Sequence, residues 1–375
     1  MEIVETEKDL TRLAEALHSE PRIALDTEGN SRHRYPEQLC LVQIATVNGS
    51  YIVDPIAIGS GAEPLGAVLA DDRVEKIIHS ADYDLRSLDR EWGFQVHNIF
   101  DTSVAARIAG SRRLGLDAVL EDTLDVAIVK QKRLQQSDWS LRPLSDEALN
   151  YAIDDVNHLL ELRRVQGGKL GELGRTAWAL EECLRLEEIH YTPPDPPEVA
   201  FLSMKGSREL DGRGLAVLRE LYVFRDGEAR RRRVPPYRIV SNDALLHLSG
   251  QPEDELMKAP GIGPITANRL GGQLRAAISR GTEADPVQRP RSPRSLDPRP
   301  TKQQEDRLRA LKAWRNDLGE QLDVDASLLW PMASLERLAR YPEEFGNEIG
   351  RPSVIRNWQR KEFKDVLQEF LKTIA

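Results

Sequence analysis

The sequence is poor in the residues that build disulfide frameworks and zinc sites. Only Cys40 and Cys183 occur in 375 residues, and the seven histidines form no HExxH pattern. A disulfide scaffold is therefore excluded, zinc chemistry is nearly excluded, and we expect a reducing, cytoplasmic location. No apolar run approaches the roughly 18 residues that cross a bilayer, so neither a membrane span nor a secretory leader is expected.

The composition that remains is that of a folded chain with more than one domain. Hydrophobic residues make up 40% and charged residues 30% of the sequence, a balance typical of globular proteins. The net charge of −9 is uneven: acidic side chains outnumber basic ones over 1–207, whereas basic ones are in excess over 208–280. A nucleic acid would be repelled by the first region unless cations lie there, and attracted by the second.

Two proline-rich stretches, 192–197 and 285–300, divide the chain, because proline disrupts both helices and central strands. The second stretch is almost free of apolar side chains, which is typical of an extended linker. The boundaries predict four segments: a first domain over 1–192, a helical domain over 208–283, a proline- and arginine-rich linker over 284–301, and a second helical domain over 302–375.

The first domain has the pattern of a mixed sheet. Short strand-like runs occur at 22–26, 39–47, 51–53 and 74–79, and compact turns join the first three. Apolar residues then recur at helical spacing, notably over 144–162. Three meandering strands followed by alternating helices and strands predict an α/β fold with helices on both faces of the sheet.

The two later domains have a related pattern. In each, a long helix with an apolar stripe is followed by a polar break, a hydrophobic residue before proline, and a short helix. The hydrophobic-proline pairs are Val234-Pro235 and Trp330-Pro331. This order predicts a small all-α module that occurs twice.

Two carboxylates, Asp26 and Glu28, lie at the end of the first predicted strand. Their spacing of two puts both side chains on one face of a strand. Two like charges side by side are unfavourable unless a cation neutralises them, and oxygen ligands suit Mg²⁺ or Mn²⁺. From these residues alone, a solvated loop that carries both acids is an equally good interpretation.

Two further candidates lie on predicted helices. Tyr151 and Asp155 are four positions apart on one helical face, where a phenol and a carboxylate could hold a metal and a water together. In isolation, an exposed acid near a half-buried tyrosine is the more frequent situation, and Asp154 points about 100° away. After the fourth strand, Asp82 fits a helix cap and Asp84 is the better ligand, but spacing does not separate them.

The acids lie in strings that together resemble the DEDD superfamily of 3′→5′ exonucleases, in its tyrosine-bearing subgroup. The matching strings are Asp26-Thr27-Glu28 with Arg34-Tyr35-Pro36 and Leu39–Ala45, then His79–Leu85, then Tyr151-x-x-x-Asp155. Two more are similar to the ribonuclease D family: Phe100-Asp101-Thr102, and Ser137-Asp138-Trp139 with Arg142-Pro143-Leu144. The helical modules resemble HRDC domains, the second in divergent form, and this layout is that of bacterial ribonuclease D.

The resemblance implies an RNase H-like mixed-sheet exonuclease domain followed by two small all-α HRDC-like domains. It implies that Asp26, Glu28, Asp84 and Asp155 bind two divalent cations, Mg²⁺ or Mn²⁺, and that Tyr151 orients the attacking water. Two cations acidify a water and stabilise the leaving oxygen, so no Ser, Cys or Lys nucleophile is required. The implied reaction releases nucleoside 5′-monophosphates from RNA 3′ ends, in tRNA precursors or other structured RNA, without an obligate protein partner.

The chain departs from its relatives at Asp125, where glycine is expected, and the following piece up to Ser137 is slightly long. These departures affect the expected shape of a loop and the substrate preference, but not the chemistry. Asp101 is expected to stabilise a turn rather than to bind metal.

A basic cluster precedes Tyr237 in the first helical module, and it consists of Arg230, Arg231, Arg232 and Arg233. Arginine suits bidentate phosphate contact and a tyrosine ring can stack on a base, so we expect RNA contact, with a solvated polar turn as the alternative. Trp139 and Arg142 are further candidates for substrate binding, although Trp139 suits the core equally well. The string Ala259–Gly263 could bind a phosphate at a helix start, but a simple turn is the more ordinary interpretation.

Two alternative functions remain open at this point. The same acidic site serves exonucleases that act on DNA, because sugar choice depends on the pocket around the 2′-OH. A catalytically silent RNA-binding scaffold is disfavoured, because all four acids are present.

Overall fold

The structure is a computed structural model that describes residues 1–128, 131–290, 299–351 and 353–374. Its contacts divide the chain into two units: Met1–Glu28, Leu39–Tyr191 and Leu296–Ala375 form the first, and Gly29–Gln38 and Thr192–Ser295 form the second. The predicted exonuclease domain therefore shares a unit with the second helical domain. The middle of the predicted linker, 291–298, and residues 129–130 of the piece before Ser137 lie outside the described residues.

Among the described residues, the first unit is built on a six-stranded mixed sheet. The strands are β1 (Glu2–Val4), β2 (Arg22–Gly29), β3 (Leu39–Thr46), β4 (Gly49–Val53), β5 (Glu75–Ile78) and β6 (Ile99–Asp101). Their order is β1-β4-β3-β2-β5-β6, with β3 antiparallel to β4 and with parallel pairs β1–β4, β2–β5 and β5–β6. The four predicted strands are confirmed, whereas β1 and β6 were missed because three residues are too few to show alternation.

The helices of the described chain follow in sequence order. Those before the first proline-rich stretch are α1 (Glu7–Leu17), α2 (Pro55–Ile58), α3 (Glu63–Leu69), α4 (Asp82–Trp92), α5 (Thr102–Ile108), α6 (Leu116–Leu124), α7 (Lys132–Gln135), α8 (Asp146–Asn157), α9 (Leu159–Glu172) and α10 (Thr176–Leu186). The later ones are α11 (Pro197–Ala200), α12 (Gly212–Arg232), α13 (Asn242–Gly250), α14 (Pro264–Glu283), α15 (Lys302–Leu322), α16 (Ala326–Leu329), α17 (Met332–Arg340), α18 (Phe345–Ile349) and α19 (Asn357–Thr373). None of the described helices has the length and hydrophobicity that a membrane crossing requires.

Successive residues of β2 pack on opposite faces of the sheet, as strand geometry requires. Ala24 belongs to the apolar cluster that includes Ala152 of α8, whereas Ile23 and Leu25 belong to the cluster that includes Leu85 of α4. Helices therefore cover both faces, as predicted. The same alternation points the side chains at even positions after Ala24 toward the α8 face.

The carboxyl-terminal helices share a hydrophobic core with the exonuclease domain. Trp178 of α10 stacks on Trp358 of α19 with ring centroids 4.4 Å apart. The buried Arg175 donates to the carbonyl oxygens of Ile108, at 3.0 Å, and of Leu322, at 2.5 Å. The two segments are consequently one packed body.

Three helices of the second unit, α12, α13 and α14, correspond in order and length to three of the carboxyl-terminal helices, α15, α17 and α19. Both series begin with a helix of 21 residues, α12 and α15, and both of these end at a residue with positive φ, Arg233 at 54° and Asp323 at 47°. A helix of nine residues follows in each, α13 or α17, the latter after the four-residue α16. A long helix closes each series, α14 or α19, the latter after the five-residue α18. This is the order that the sequence repeat predicts.

Candidate active site

The end of β2 brings two acids together with one from α8. Carboxylate oxygens of Asp26, Glu28 and Asp155 all lie within 4.8 Å of one another. The period of two along β2 puts Asp26 and Glu28 on the α8 face, where Asp155 meets them. The predicted spatial meeting of these residues is present in the structure.

Asp84 contacts β2 through Thr27 and is not one of the three acids whose oxygens lie within 4.8 Å of one another. Thr27 lies between the two acids of the strand, and its hydroxyl donates to Oδ1 of Asp84 at 2.5 Å. Asp84 lies in the first turn of α4 and is 4% exposed. Asp82 is exposed and accepts from Arg86 at 3.0 Å, and Ala81 occupies the cap position, so the expectation that Asp82 caps the helix is wrong.

Asp101 holds the turn that leads to Asp84. Its carboxylate accepts from the backbone amides of Ser80 (3.1 Å), Ala81 (2.8 Å), Ser103 (2.8 Å) and Val104 (3.1 Å). Ser80 has φ of 62°, a left-handed conformation that a non-glycine residue adopts only when its surroundings hold it. Asp101 therefore stabilises a turn, as expected from the sequence.

Burial and mutual repulsion act on these acids together. Burial raises the pKa of Asp26 well above its usual range, and the charges of Asp84, Asp155 and Glu28 raise it further. The pKa of Glu28 is raised by burial and by Asp155 and Asp84, and burial raises the pKa of Asp84 to about 7. Such a group of oxygens fits a hard divalent cation, because its charge relieves the repulsion that the fold creates.

Tyr151 lies one turn before Asp155 on α8, a helix that Ser145 caps by accepting from the Ala148 amide at 3.2 Å. Its ring stacks with that of Trp139, with centroids 6.2 Å apart. Burial raises the pKa of the Tyr151 hydroxyl, and the charge of Asp155 raises it further. The phenol consequently keeps its proton at neutral pH and is available as a hydrogen-bond donor.

A cavity of about 320 Å³ contains Asp26, Glu28, Tyr151 and Asp155. Residues that were not predicted as site residues also line it, namely His79, Tyr83, Asp117 and Gln135. The imidazole of His79 is held between Thr102 Oγ1 (2.8 Å) and the carbonyl oxygen of Leu114 (2.9 Å). Of these residues, His79 and Tyr83 lie inside the second motif string, so the string itself was the signal that could have found them.

Trp139 and Arg142 are not available to a substrate. Trp139 is 1% exposed, so its ring is part of the core, and the expectation that it stacks on a base is wrong. Arg142 makes a bidentate pair with Asp54, at 2.5 and 2.8 Å, and donates to the carbonyl oxygen of Cys40 at 3.0 Å. Its guanidinium joins distant parts of the chain, which contradicts its predicted role in substrate binding.

The basic cluster at the end of α12 is largely paired within its own helix. Arg230 donates to Asp226 at 2.7 Å, and Arg231 and Arg232 both bind Glu228. Arg233 ends the helix in the left-handed conformation. Arg230, Arg231 and Arg233 are nevertheless exposed, and RNA contact by the cluster stays a prediction.

Three other predicted features have defined places. The Tyr237 hydroxyl is 2.8 Å from the carbonyl oxygen of Arg32, to which it donates, although the residue is 58% exposed. Within Ala259–Gly263, Gly261 has φ of 82° and Gly263 precedes α14 without a side-chain cap; phosphate binding there stays a prediction. Asp125 has φ of 55° at the end of α6, which explains why glycine is the expected residue.

Comparison with known proteins agrees with this geometry. Residues 1–165 match a family described as 3′-5′ exonuclease, and residues 214–278 match the HRDC domain. Ribonuclease D from Gluconacetobacter diazotrophicus is 31% identical, and the match covers 97% of this chain and 91% of that protein. Ribonuclease D from Granulibacter bethesdensis is also 31% identical, and the match covers 91% of this chain and 86% of that protein.

The fold has a solved counterpart in Escherichia coli RNase D. That crystal structure is described as an exoribonuclease involved in structured RNA processing. Its match covers 99% of this chain and 98% of the Escherichia coli chain, with a TM-score of 0.68 at 23% identity. The predicted fold class is thereby confirmed. With the acids assembled and relatives of this identity matched over nearly their full length, the chain belongs to the ribonuclease D family of 3′→5′ exoribonucleases.

Proposed function

We propose that this chain hydrolyses RNA from its 3′ end with two divalent cations, Mg²⁺ or Mn²⁺, and releases nucleoside 5′-monophosphates. Asp26, Glu28, Asp84 and Asp155 would hold the cations. The observation that carries the proposal is the convergence of the Asp26, Glu28 and Asp155 oxygens within 4.8 Å; Asp84 is hydrogen-bonded to Thr27, the residue between the two strand acids. Like charges this close together are unfavourable unless a cation neutralises them.

The chain's own groups have separable tasks in this proposal. When bound, the cations supply an acidified water and neutralise the leaving oxygen. Tyr151 keeps its proton and donates a hydrogen bond that orients the water, while Asp155 accepts from that water. Thr27 prevents Asp84 from rotating, and His79 forms a fixed wall of the cavity.

The substrates proposed are tRNA precursors and other structured RNAs with a free 3′ end, processed in the cytoplasm. The support is that the similar proteins are ribonucleases D and that the Escherichia coli enzyme is described as involved in structured RNA processing. We also propose that α15–α19 form a second, divergent HRDC-like domain, because α15, α17 and α19 follow the order of α12, α13 and α14. Arg231 and Arg233 are the candidate phosphate contacts in the first module.

The test is digestion of one RNA labelled at its 5′ end or at its 3′ end, with Mg²⁺ or Mn²⁺ and then with EDTA. We expect a metal-dependent ladder from the 5′ label, mononucleotides from the 3′ label, and loss of both in Asp26→Ala. The rate of digestion of DNA of the same sequence, compared with that of RNA, tests the choice of sugar. The rate of digestion of a tRNA precursor with a 3′ extension tests the proposed substrate class. Endonucleolytic fragments, or full activity in Asp26→Ala, would refute the proposal.

A further inference from the structure

Residues 29–38, called here the connection, run from the last residue of β2 to the residue before β3. Gly29 follows Glu28 directly, and Leu39 begins β3. The connection nevertheless belongs to the second unit rather than to the sheet whose strands it joins. Its own fold is a compact turn in which the Asn30 carbonyl accepts from the amides of His33 and Arg34, at 2.8 and 2.9 Å.

One anchor of the connection is Tyr35. Its phenol donates to Asp226 of α12, and Arg230 binds the other oxygen of Asp226 at 2.7 Å. The Arg230 guanidinium also lies over the Tyr35 ring, 5.0 Å from its centroid, and the ring packs on the apolar core of the second unit. These three residues are called the tether below.

A second anchor is the carbonyl oxygen of Arg32. It accepts from the Tyr237 hydroxyl at 2.8 Å and from Arg238 at 3.1 Å. Two side chains that follow the arginine cluster in sequence therefore bind the connection, one of them the tyrosine expected to stack on RNA. Both anchors involve residues of the HRDC module.

The tether has the character of a permanent contact. Asp226 is only 9% exposed, and burial, then the hydrogen bond to Asp226, raises the pKa of Tyr35 to about 12. The phenol thus remains a donor at any working pH. The Arg230 cation over the Tyr35 ring adds an attraction between the charge and the ring electrons.

We propose that the tether is a positioning device, in which α12 of the HRDC module fixes the connection and thereby the end of β2 that carries Glu28. The proposal rests on the proposed role of Glu28 as a metal ligand. Small displacements of a ligand are enough to reduce a reaction that depends on geometry. The HRDC module would then contribute to the rate of the chemical step, in addition to any grip on RNA.

The experiment compares single substitutions in the full chain. Tyr35→Phe removes the donated hydrogen bond and keeps the ring, and Arg230→Gln removes the cation. The matched control is Arg280→Gln, because Arg280 pairs with Glu220 of α12 at 3.1 Å and its side chain is 56% exposed, against 49% for Arg230. Arg231→Gln serves as the comparison for a residue proposed to contact RNA.

Four measurements distinguish the possible roles: kcat and KM on a short single-stranded RNA, Mn²⁺ affinity from the paramagnetic resonance of free Mn²⁺, hydrogen exchange over 29–38, and the melting temperature. We expect both tether variants to lower kcat by roughly fivefold to tenfold at unchanged KM. Mn²⁺ affinity should fall and exchange over the connection should rise, while Arg280→Gln changes none of these quantities.

The proposal is overturned if exchange over the connection rises while kcat and Mn²⁺ affinity stay at the wild-type values. It is also overturned if Arg230→Gln raises KM at constant kcat, because that is the result expected for Arg231→Gln if Arg231 binds RNA. If only the melting temperature falls, the tether is merely structural and the proposal fails. Failure of the proposed function itself is distinct, because the wild-type protein would then release no mononucleotides.

Discussion

The molecule contains two clusters of like charge that differ in how the charge is compensated. At the end of β2, Asp26, Glu28 and Asp155 face one another, and their repulsion and burial raise the pKa of the first two. At the end of α12, Arg230 and Arg231 each face a carboxylate one turn back along the helix.

The difference teaches how a charged run should be interpreted. A compensated run stabilises its own helix and needs no ligand, whereas a buried uncompensated one is unfavourable unless something of opposite charge binds. The acidic cluster is therefore the stronger indication of function, although the arginine run is the more conspicuous in the sequence. The following predictions test this contrast.

The largest effect is expected for Asp155→Asn, which removes one charge from the acidic cluster at the end of β2. We expect kcat to fall by roughly 10³-fold, the loss of about 4 kcal/mol of transition-state stabilisation, with a weaker affinity for Mn²⁺. The matched control is Asp154→Asn, because the neighbouring acid is exposed and should leave both quantities unchanged. Equal loss in the two variants would show that helix α8, not the ligand, was damaged.

A compensated pair in the interior should matter for stability rather than for rate. Arg142→Gln leaves the buried Asp54 carboxylate without its partner, and we expect the free energy of unfolding to fall by about 3 kcal/mol. Arg133→Gln is the control, because Arg133 pairs with Glu147 at 2.6 Å on the surface, where a pair contributes at most about 1 kcal/mol. Urea denaturation measures both, and a raised KM for RNA with unchanged stability would restore Arg142 as a substrate residue.

Tyr151→Phe keeps the ring that stacks on Trp139 and removes the hydroxyl. We expect kcat to fall by roughly 10²-fold, the lower end of what a positioned proton donor contributes, at nearly constant KM. Since the raised pKa keeps the phenol protonated, the variant and the wild type should share one pH–rate profile. A profile that loses its alkaline limb in the variant would contradict the role as a fixed donor.

The smallest effect concerns the stability of the metal-free protein. Burial raises the pKa of Asp84 to about 7, so folding favours its protonated form. This contribution is complete at pH values below the ordinary pKa of about 4 and is lost as the pH rises through 7. In EDTA, Asp84→Asn should thus be more stable than the wild type at pH 8, by about 1 to 2 kcal/mol, and nearly equal at pH 4. Urea denaturation at both pH values measures the difference, and an equal gain at both would show that charge is not its cause.

Local spacing predicted the parts of the site that lie within one element. The alternation of β2 placed Asp26 and Glu28 on one face, and the helical period placed Tyr151 beside Asp155. Spacing could not predict that the end of β2 lies next to α8, because that contact depends on long-range packing. The expectation that these acids meet came from the resemblance to a family.

Other residues show what sequence patterns conceal. Arg142 was misassigned because its partner, Asp54, lies 88 positions away. The partners of the arginine cluster were within reach, since Asp226 precedes Arg230 by four positions and Glu228 precedes Arg231 by three, which is the spacing of helical ion pairs. The place of the connection in the second unit left no trace in the sequence.

The stacking of Trp178 on Trp358 has a consequence for truncation. A shortened chain that ends before α15 would leave the Trp178 indole and its apolar neighbours facing water, and an exposed patch of that kind promotes aggregation. Deletion of the carboxyl-terminal helices is thus expected to affect the exonuclease domain as well. The shared tryptophans make these helices part of the same packed unit as the sheet that carries the acids.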